Sequence, residues 1–586
     1  MPFPDLQSFV QHLERSGQLR RVRVPVNPVL EASEIAQRVV RAGGPALLFE
    51  QPTGSSIPLV MNLFGTMERI ELALGRHPQA IGLELVEALQ RLNPPSLKSL
   101  WKSRGFLARA RHMRPRVVGS GPVQETVQQP ARLSDLPHLQ CWPNDGGRFV
   151  TFGSTLTEDP ATHRRNLGLY RLHIYDEATT GMHWQSMKGG RGHYWEAERR
   201  GEELPVAVVL GGDPILMLAA VFPLPEDMDE LGFAGFLRGS ATRLIRARTI
   251  PLAVPANAEI VLEGVVPPRE RRLEGPFGDH FGHYSDASEF PVFHVRAVTR
   301  RANALYPATV VGKPPQEDGA IGTAAGELVG PLVRLINPNI VDLHAYQNAG
   351  FHNLLGVAVK ERHPKEVLKT AFNLLGTGQL ALTKVAVMVG PAVDPRRFES
   401  LLRELWHRFD PEERMLLLPI APLDTLDYTS YRMHVGSKLV LDAAGDVVTA
   451  GPPPSTVPAL EGFDRRIGNA RLLEGGWLVV EARSEPRQLL ERLVAWDGLG
   501  PIKWVVAVSG DVQLEQESSL MWGIFTRFDP ARDLIAQEQS FVGARPVYRG
   551  RLGIDATWKQ GYPAPLEMSP EIVQRVDRRW GEYGID

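Results

Sequence analysis

The sequence predicts a multidomain protein of α/β and β class: a small α/β domain (residues 1–118), a mainly β domain (119–315), an α/β domain (316–450) and a second α/β module with a carboxy-terminal helix (451–586). Three observations predict it. Helical spacing gives way to strands near residue 119, helices and strands alternate again after "YPATVVGKPPQED", and the last part contains an internal duplication. At 586 residues the chain is too long for one core, and about three to four domains is the expectation from length.

In the first unit, "MPFPDLQSFVQHLERSGQLRRV" has apolar residues at helical spacing interrupted by charges, which predicts a capped amphipathic helix rather than a signal peptide. "EASEIAQRVVRA" continues the helical pattern, and "PALLFE" after Gly43 and Gly44 reads as a strand. In the second unit "LGLYRLHIYD", "AEIVLEGVV" and "FPVFHVRAVTR" alternate apolar and polar residues between Gly, Pro and Asp, the pattern of a barrel or folded sheet. In the third, "HPKEVLKTAFNLL" followed by "KVAVMVG" is the signature of α/β layers. The duplication follows: "KVAVMVGPAV" and "RFDPEER" return as "KWVVAVSGDV" and "RFDPARD", with Lys384 to Lys503 and Phe409 to Phe528 both 119 positions apart. "GSKLVLDAA" is echoed by "GRLGIDATW", and "GPPPSTVPALEG" (451–462) reads as the linker between copies.

Composition narrows the function classes. With 43% hydrophobic and 23% charged residues and a net charge of -2, nothing in the total points to nucleic acid or an anionic membrane surface. A single cysteine, Cys141, excludes an internal disulfide and any CxxC metal site. The most apolar region, "LPVAVVLGGDPILMLAAVFPLP", is interrupted by Gly-Gly-Asp-Pro, so no membrane span is expected there. Together these predict a soluble, cytoplasmic protein.

The stretch "RRLEGPFGDHFGHYS" carries Glu274 and Asp279 five positions apart, among three glycines and a proline. Taken alone it reads as a polar turn between strands. "NLGLYRLHIYD" carries Asn166 and Arg171, which a regular strand would set on opposite faces, so a bend is needed for both to serve one site. Taken alone, Glu230 in "PLPEDMDELGFAGFLRG" reads as a solvated helix start, Asn166 and Arg171 as ordinary strand residues, and Lys438 as a surface charge.

These segments resemble the UbiD family of decarboxylases, which use prenylated flavin mononucleotide. The resemblance runs in order through "NLGLYR", "GMHWQ…KGG", "PLPE…ELGFAGFLRG", "VPANAEIVLEG", "EGPFGDH", "YPATVVGKPP", "VGSKLVLDA" and "RFDPARD". It implies that the 119–315 unit is a prenylated-FMN-binding split β-barrel, and that Arg171, Glu274 and Asp279 are catalytic. It also implies metal ligands (Mn2+ or Mg2+, with K+ as a further ion) at Asn166 and Glu230. Cofactor-lining positions would be Asn166, Leu169, Tyr170, Arg171, Gln185, Met187, Glu230 and Lys438. Arg551 holds the place of Lys438 in the second copy, leaving open which copy faces the flavin.

In that scheme CO2 leaves an aromatic or α,β-unsaturated acid, and a carboxylic acid must protonate the vacated carbon. Glu274, desolvated beside the flavin with its pKa raised, is the expected donor, and Asp279 the ionised partner of Arg171. Arg171 has two uses open to it: binding the substrate carboxylate, or keeping an acid ionised. One departure stands out: "WQSMKGG" places Met187 where the family has a histidine ligand, and thioether is a poor substitute on a hard ion. His183 and His193 are out of register, four before and six after. A second departure is at Phe281 and His283, candidates for the substrate pocket or for strand packing.

The resemblance implies a small aromatic acid substrate, a quinone precursor such as dihydroxynaphthoate or a hydroxybenzoate among them. It also implies a flavin prenyltransferase as cofactor supplier, and a homodimer or dimer-based hexamer. The alternative reading is a non-catalytic member serving as a flavin-binding or assembly subunit. A flavin oxidoreductase finds less support, because no GxGxxG fingerprint opens a helix after a strand.

Overall fold

The computed structural model describes every residue except 1–2, 95, 186–188, 226–227, 431, 461 and 586. At its centre an eight-stranded antiparallel sheet runs through Thr179–Gly181, Ser288–Arg300, Ile260–Val266, Leu204–Leu210, Gly153–Glu158 and Arg165–Leu169, with Arg271–Glu274 and Thr126–Gln128 also paired to the long Ser288–Arg300 strand. No pairing joins the two ends of this path among the described residues, so it is a folded open sheet.

Ile260–Val266 is buried along its whole length because both faces are covered. Period-two alternation sends Val261 and Val265 into one core with Leu6, Phe9 and Phe233, and sends Ile260, Leu262 and Val266 into another with Val26, Tyr170 and Trp184. A one-residue slip would exchange these sets and put Glu263 and Gly264 into the wrong cores, which fixes the register.

The amino-terminal unit contributes parallel strands Leu19–Val22 and Ala46–Phe49, and the helix Pro78–Arg91. Against that helix lies Glu317–Ile336, where Gly82 approaches so closely that a Cβ would sit 2.2 Å from the Leu328 carbonyl. By length and composition Glu317–Ile336 could cross a membrane; here its Ile321, Ala324 and Leu328 enter the core. Between these elements run the short helices Leu97–Lys102 and Arg104–Ala110, which lead to the strand Arg116–Val117 beside Arg243–Arg246.

The remaining chain forms two five-stranded sheets with one topology. Ile340–Ala345, Leu354–Val359, Val385–Val389, Val435–Ala443 and Met415–Pro422 pair in that order, antiparallel, parallel, parallel, antiparallel. Ile467–Leu473, Trp477–Ala482, Trp504–Val508, Arg545–Ala556 and Leu534–Val542 repeat it. The copies share a core in which Trp477 and Trp504 stack 4.5 Å apart against Phe409 and Val387. The final helix, Pro570–Arg579, leaves the second copy and packs on the amino-terminal unit, where Tyr583 donates to Glu31 (2.9 Å) and Arg38 pairs with Asp577 (2.6 Å).

Candidate functional site

Glu274 ends the strand Arg271–Glu274, opposite Ser288. Gly275 then turns the chain with φ at 90°, a conformation that favours glycine. The turn is held from outside: Gly146 donates to the Pro276 carbonyl (2.8 Å), and a Cβ at Gly146 would lie 2.1 Å from the Gly275 oxygen. Asp145 accepts from the amides of Cys141 (2.9 Å), Trp142 (2.8 Å) and Gly278 (2.8 Å), and the Gly275 amide points at His173 Nδ1 (3.3 Å). Phe277–Gly278 then pairs with Tyr284–Ser285, which closes the loop around Asp279.

Arg171 lies where the strand Arg165–Leu169 ends and the chain shifts to pair with Phe149–Val150 through Leu172–His173. That break supplies the bend the sequence required. The guanidinium reaches Glu274 through Nε (2.9 Å) and Nη2 (3.2 Å), Asp279 through Nη1, and Ser285 Oγ through Nη2 (3.0 Å), while lying over the Phe277 ring at 4.5 Å. Glu274 and Arg171 are almost entirely shielded from solvent, at 0% and 8% side-chain exposure. His183 Nδ1 sits 3.1 Å from Glu274 Oε2, its ring stacked on Phe290, and His280 Nδ1 is 2.8 Å from Asp279 Oδ1.

The charge state corrects an expectation. Burial alone would raise the Glu274 pKa, but Arg171 and His183 outweigh it and hold the carboxyl down at about 2. Asp279 is likewise driven well below its ordinary range: burial opposes ionisation, and His280 and Arg171 overcome it. In this state both acids are carboxylates. His280 is shifted up, Asp279 prevailing over burial, whereas His183 is shifted down by burial and by the neighbouring Arg171.

A second group forms five residues before Arg171. Glu230, first residue of the helix Glu230–Arg238, accepts from the Leu167 amide (2.9 Å), and burial pushes its carboxyl up to about 7. The Tyr170 hydroxyl accepts from the Gly190 amide (3.1 Å) at the start of the helix Gly189–Arg200. A Cβ at Gly189 would lie 2.4 Å from Asn166 Oδ1. Among the described residues Asn166 Nδ2 and the Trp184 indole nitrogen are buried donors without a partner. Unpaired donors, a helix amino terminus and a buried carboxyl whose lost hydration a cation would replace fit an anionic, phosphate-bearing group with a hard cation beside it. Among the described residues no three His, Cys, Asp or Glu side chains converge as a metal cluster, so Asn166 and Glu230 would contribute two oxygens.

Other expected positions fall elsewhere. Lys438 is not at this group: its ammonium donates to the carbonyls of Ala381 (2.8 Å) and Thr383 (2.6 Å) inside the first carboxy-terminal sheet, and burial lowers its pKa to about 8. Arg551 does the same in the second copy, on Val494, Gly500 and Ile502. Both bases pin the segment that feeds the central strand of their sheet. Met187 lies outside the described residues, Gln185 is half-buried after Trp184, and Leu169 ends its strand opposite Ser154. His193, a substitute ligand by type, is paired with Thr157 Oγ1 (2.8 Å).

Phe281 and His283 face the carboxy-terminal modules. Trp522 of the second copy donates to the Phe281 carbonyl (2.9 Å), His283 contacts Arg527 of the same copy (3.3 Å), and Tyr428 of the first copy reaches His283 Nδ1 (2.8 Å). Both copies therefore touch the acid loop. Sequence reasoning missed Asp145, His173, Tyr428, Trp522 and Arg527; of these only Trp522 and Arg527 stood near a duplicated motif.

Residues 116–314 match the 3-octaprenyl-4-hydroxybenzoate carboxy-lyase Rift-related domain, residues 10–89 the amino-terminal domain of that family, and residues 320–443 with 474–556 its carboxy-terminal domain. With all three domains present in order, the chain belongs to the UbiD family of carboxy-lyases. Among its relatives, a 4-hydroxybenzoate decarboxylase subunit of Chlamydia pneumoniae is 37% identical over 581 residues, 99% of this chain and 98% of that protein. An uncharacterized protein of Archaeoglobus fulgidus is 43% identical over 445 residues, 76% and 92% of the two chains. Sedimentibacter hydroxybenzoicus vanillic acid decarboxylase in closed form superposes with a TM-score of 0.67 at 25% identity, over 78% of this chain and 95% of that one. The UbiD-class enzyme HmfF of Pelotomaculum thermopropionicum, in complex with FMN, gives 0.65 at 25%, over 78% and 98%.

Proposed function

We propose that this protein decarboxylates an aromatic or α,β-unsaturated acid without net oxidation, using prenylated FMN. The observation that carries the reading is the buried cluster in which one guanidinium, Arg171, is shared by Glu274 and Asp279. The related 4-hydroxybenzoate and vanillic acid decarboxylases, and the FMN bound to HmfF, favour an aromatic acid and a flavin. A hydroxybenzoate is the first substrate to test and a dihydroxynaphthoate the second. The cofactor, supplied by a flavin prenyltransferase, would act as the electron sink for the charge left as CO2 departs. Asn166 and Glu230 would hold Mn2+ or Mg2+ at its phosphate, with Tyr170, Leu169 and Gln185 along the ring. A homodimer or a dimer-based hexamer in the cytoplasm is the proposed setting.

The chain's own residues bind, orient and supply a proton. A substrate carboxylate entering the cluster competes with Glu274 for Arg171, since a guanidinium offers planar paired donors to either. Once that charge is engaged elsewhere, burial dominates at Glu274 and its pKa rises, so it takes up a proton. Asp279 keeps the ring and amide of His280 and stays ionised. Glu274 then delivers its proton to the vacated carbon, and His183 is placed to reload it. One proton is consumed per CO2 released; carboxylation would run the same transfers backwards.

The test is protein produced with the flavin prenyltransferase and screened against aromatic and unsaturated acids. Glu274→Gln should retain the visible spectrum of the cofactor and lose CO2 release. Normal turnover by that variant removes Glu274 as donor, and holoprotein inert toward every acid removes the decarboxylase reading.

A further inference from the structure

The net charge of -2 conceals one strongly basic surface. Between Glu87 and Glu125 the chain has eight Lys and Arg residues and no acid. Arg109 and Arg91 pair with Glu84 and Glu87, but no ion pair joins Lys98, Lys102, Arg104, Arg111, Arg114 or Arg116 to an acid among the described residues. All six are exposed. The helix Leu97–Lys102 carries Leu97, Leu100 and Trp101 at i, i+3 and i+4, and buries none of its residues. Their exposures are 89%, 40% and 69%, and Arg104 lies over the Trp101 ring at 4.7 Å.

The segment is not a loose appendage. Phe106 packs on Phe236 with ring centroids 5.0 Å apart, and Gly232 and Gly235 let the turn at 111–113 sit directly on the helix Glu230–Arg238. Next to it Arg116 is the register partner of Arg243, both exposed, with no acid between them. Two like charges set opposite each other across a strand pair cost stability, and an external anion removes that cost. The basic segment thus lies along the helix whose first residue is Glu230, against Gly232, Gly235 and Phe236.

We infer that this face docks on an anionic lipid bilayer, with Leu97, Leu100 and Trp101 entering the interface and the surrounding Lys and Arg side chains meeting lipid phosphates. Basic side chains ringing a Trp and two leucines on a helix are the composition of an interfacial segment. Long basic side chains reach headgroups while their stems cover the apolar atoms. A bilayer uses both features at once: lipid phosphates meet the bases while the interface takes Leu97, Leu100 and Trp101.

The test is co-sedimentation of the full-length protein with vesicles of phosphatidylcholine alone and of a mixture rich in phosphatidylglycerol, at low and high salt. The protein should pellet with the anionic vesicles at low salt and stay in solution with neutral vesicles or at high salt. Neutralising each base should weaken binding about five-fold, so that K98Q/K102Q/R104Q/R114Q abolishes pelleting. L97S/W101S should reduce it separately. Both variants alter exposed side chains, so their melting temperatures should match wild type, which separates lost docking from lost folding. Equal pelleting with neutral vesicles, or no effect of the charge variant, overturns the inference. So does a dimer in light scattering that L97S/W101S splits, because the face would then belong to a second copy. Nucleic-acid binding that survives L97S/W101S and exceeds vesicle binding also overturns it.

Discussion

Replacing Arg171 with methionine leaves two buried carboxylates facing each other without their shared cation. Removing one partner of a buried pair costs about 3–5 kcal/mol, because the remaining charge is stranded. Linkage gives a similar figure: returning Glu274 from about 2 to its ordinary 4.5 is worth about 3 kcal/mol. For a unit of about 200 residues that melts cooperatively, the loss corresponds to roughly 6–20 °C in Tm. The sign with pH is fixed. Because the folded pKa of Glu274 lies below the ordinary value, its stabilisation is complete above about 4.5 and disappears as pH falls through about 2. Wild type and Arg171→Met should therefore differ most at neutral pH and converge in acid. Thermal melts by fluorescence across that range read this directly. Arg171→Met/Glu274→Gln should recover much of the loss at neutral pH, since it removes the stranded charge. Equal melting at neutral pH, or a gap that does not narrow in acid, refutes the reasoning.

Lys438→Met should lower Tm while leaving FMN retention unchanged, because the ammonium serves the Ala381 and Thr383 carbonyls; loss of flavin at constant Tm would return it to the cofactor site. Glu230→Gln should weaken Mn2+-dependent retention of FMN on gel filtration, whereas retention equal to wild type at every Mn2+ level removes it as a ligand. Trp522→Phe keeps an aromatic ring but deletes the indole N–H that reaches the Phe281 carbonyl, so kcat should drop several-fold with Tm within a few degrees; unchanged kcat would make that contact structural only.

The architecture was legible in proportion to how local its determinants are. Strand alternation in "AEIVLEGVV" is written in neighbouring residues and the 119-residue offset in short motifs; the strands Val385–Val389 and Trp504–Val508 keep that offset, each central in a sheet of the same strand order. Ionisation at Glu274 was not legible. Burial suggested a raised pKa, and the sign depends on how closely Arg171 and His183 approach from segments distant in sequence. Lys438 failed for a related reason: a lone lysine in a motif does not reveal which carbonyls surround it. Asp145 illustrates the most hidden kind of contribution. It holds three amides of two separate segments, and "WPND" carries no pattern that would announce this.

The acid loop is held from several directions at once, and that explains what the duplicated module adds. Its first half is fixed by Asp145, in the turn after Trp142, and by His173, in the strand paired with Phe149–Val150. Its second half is fixed by Tyr428 from the first copy, by Trp522 and Arg527 from the second, and by the returning tail, where the Tyr284 amide donates to Ala564 (3.1 Å). Arg527 is itself anchored on Asp511, at 2.6 and 2.7 Å, so His283 meets a guanidinium whose position is already set. A proton donor is effective only when its position is held to a fraction of an ångström. Loops on their own lack that stiffness, and here the stiffness comes from side chains of both copies. Any displacement of the carboxy-terminal modules relative to the central sheet must therefore shift Phe281 and His283, and with them Asp279, whose amide donates to the His283 carbonyl (3.1 Å), so the charge balance at Arg171 depends on how the modules are seated.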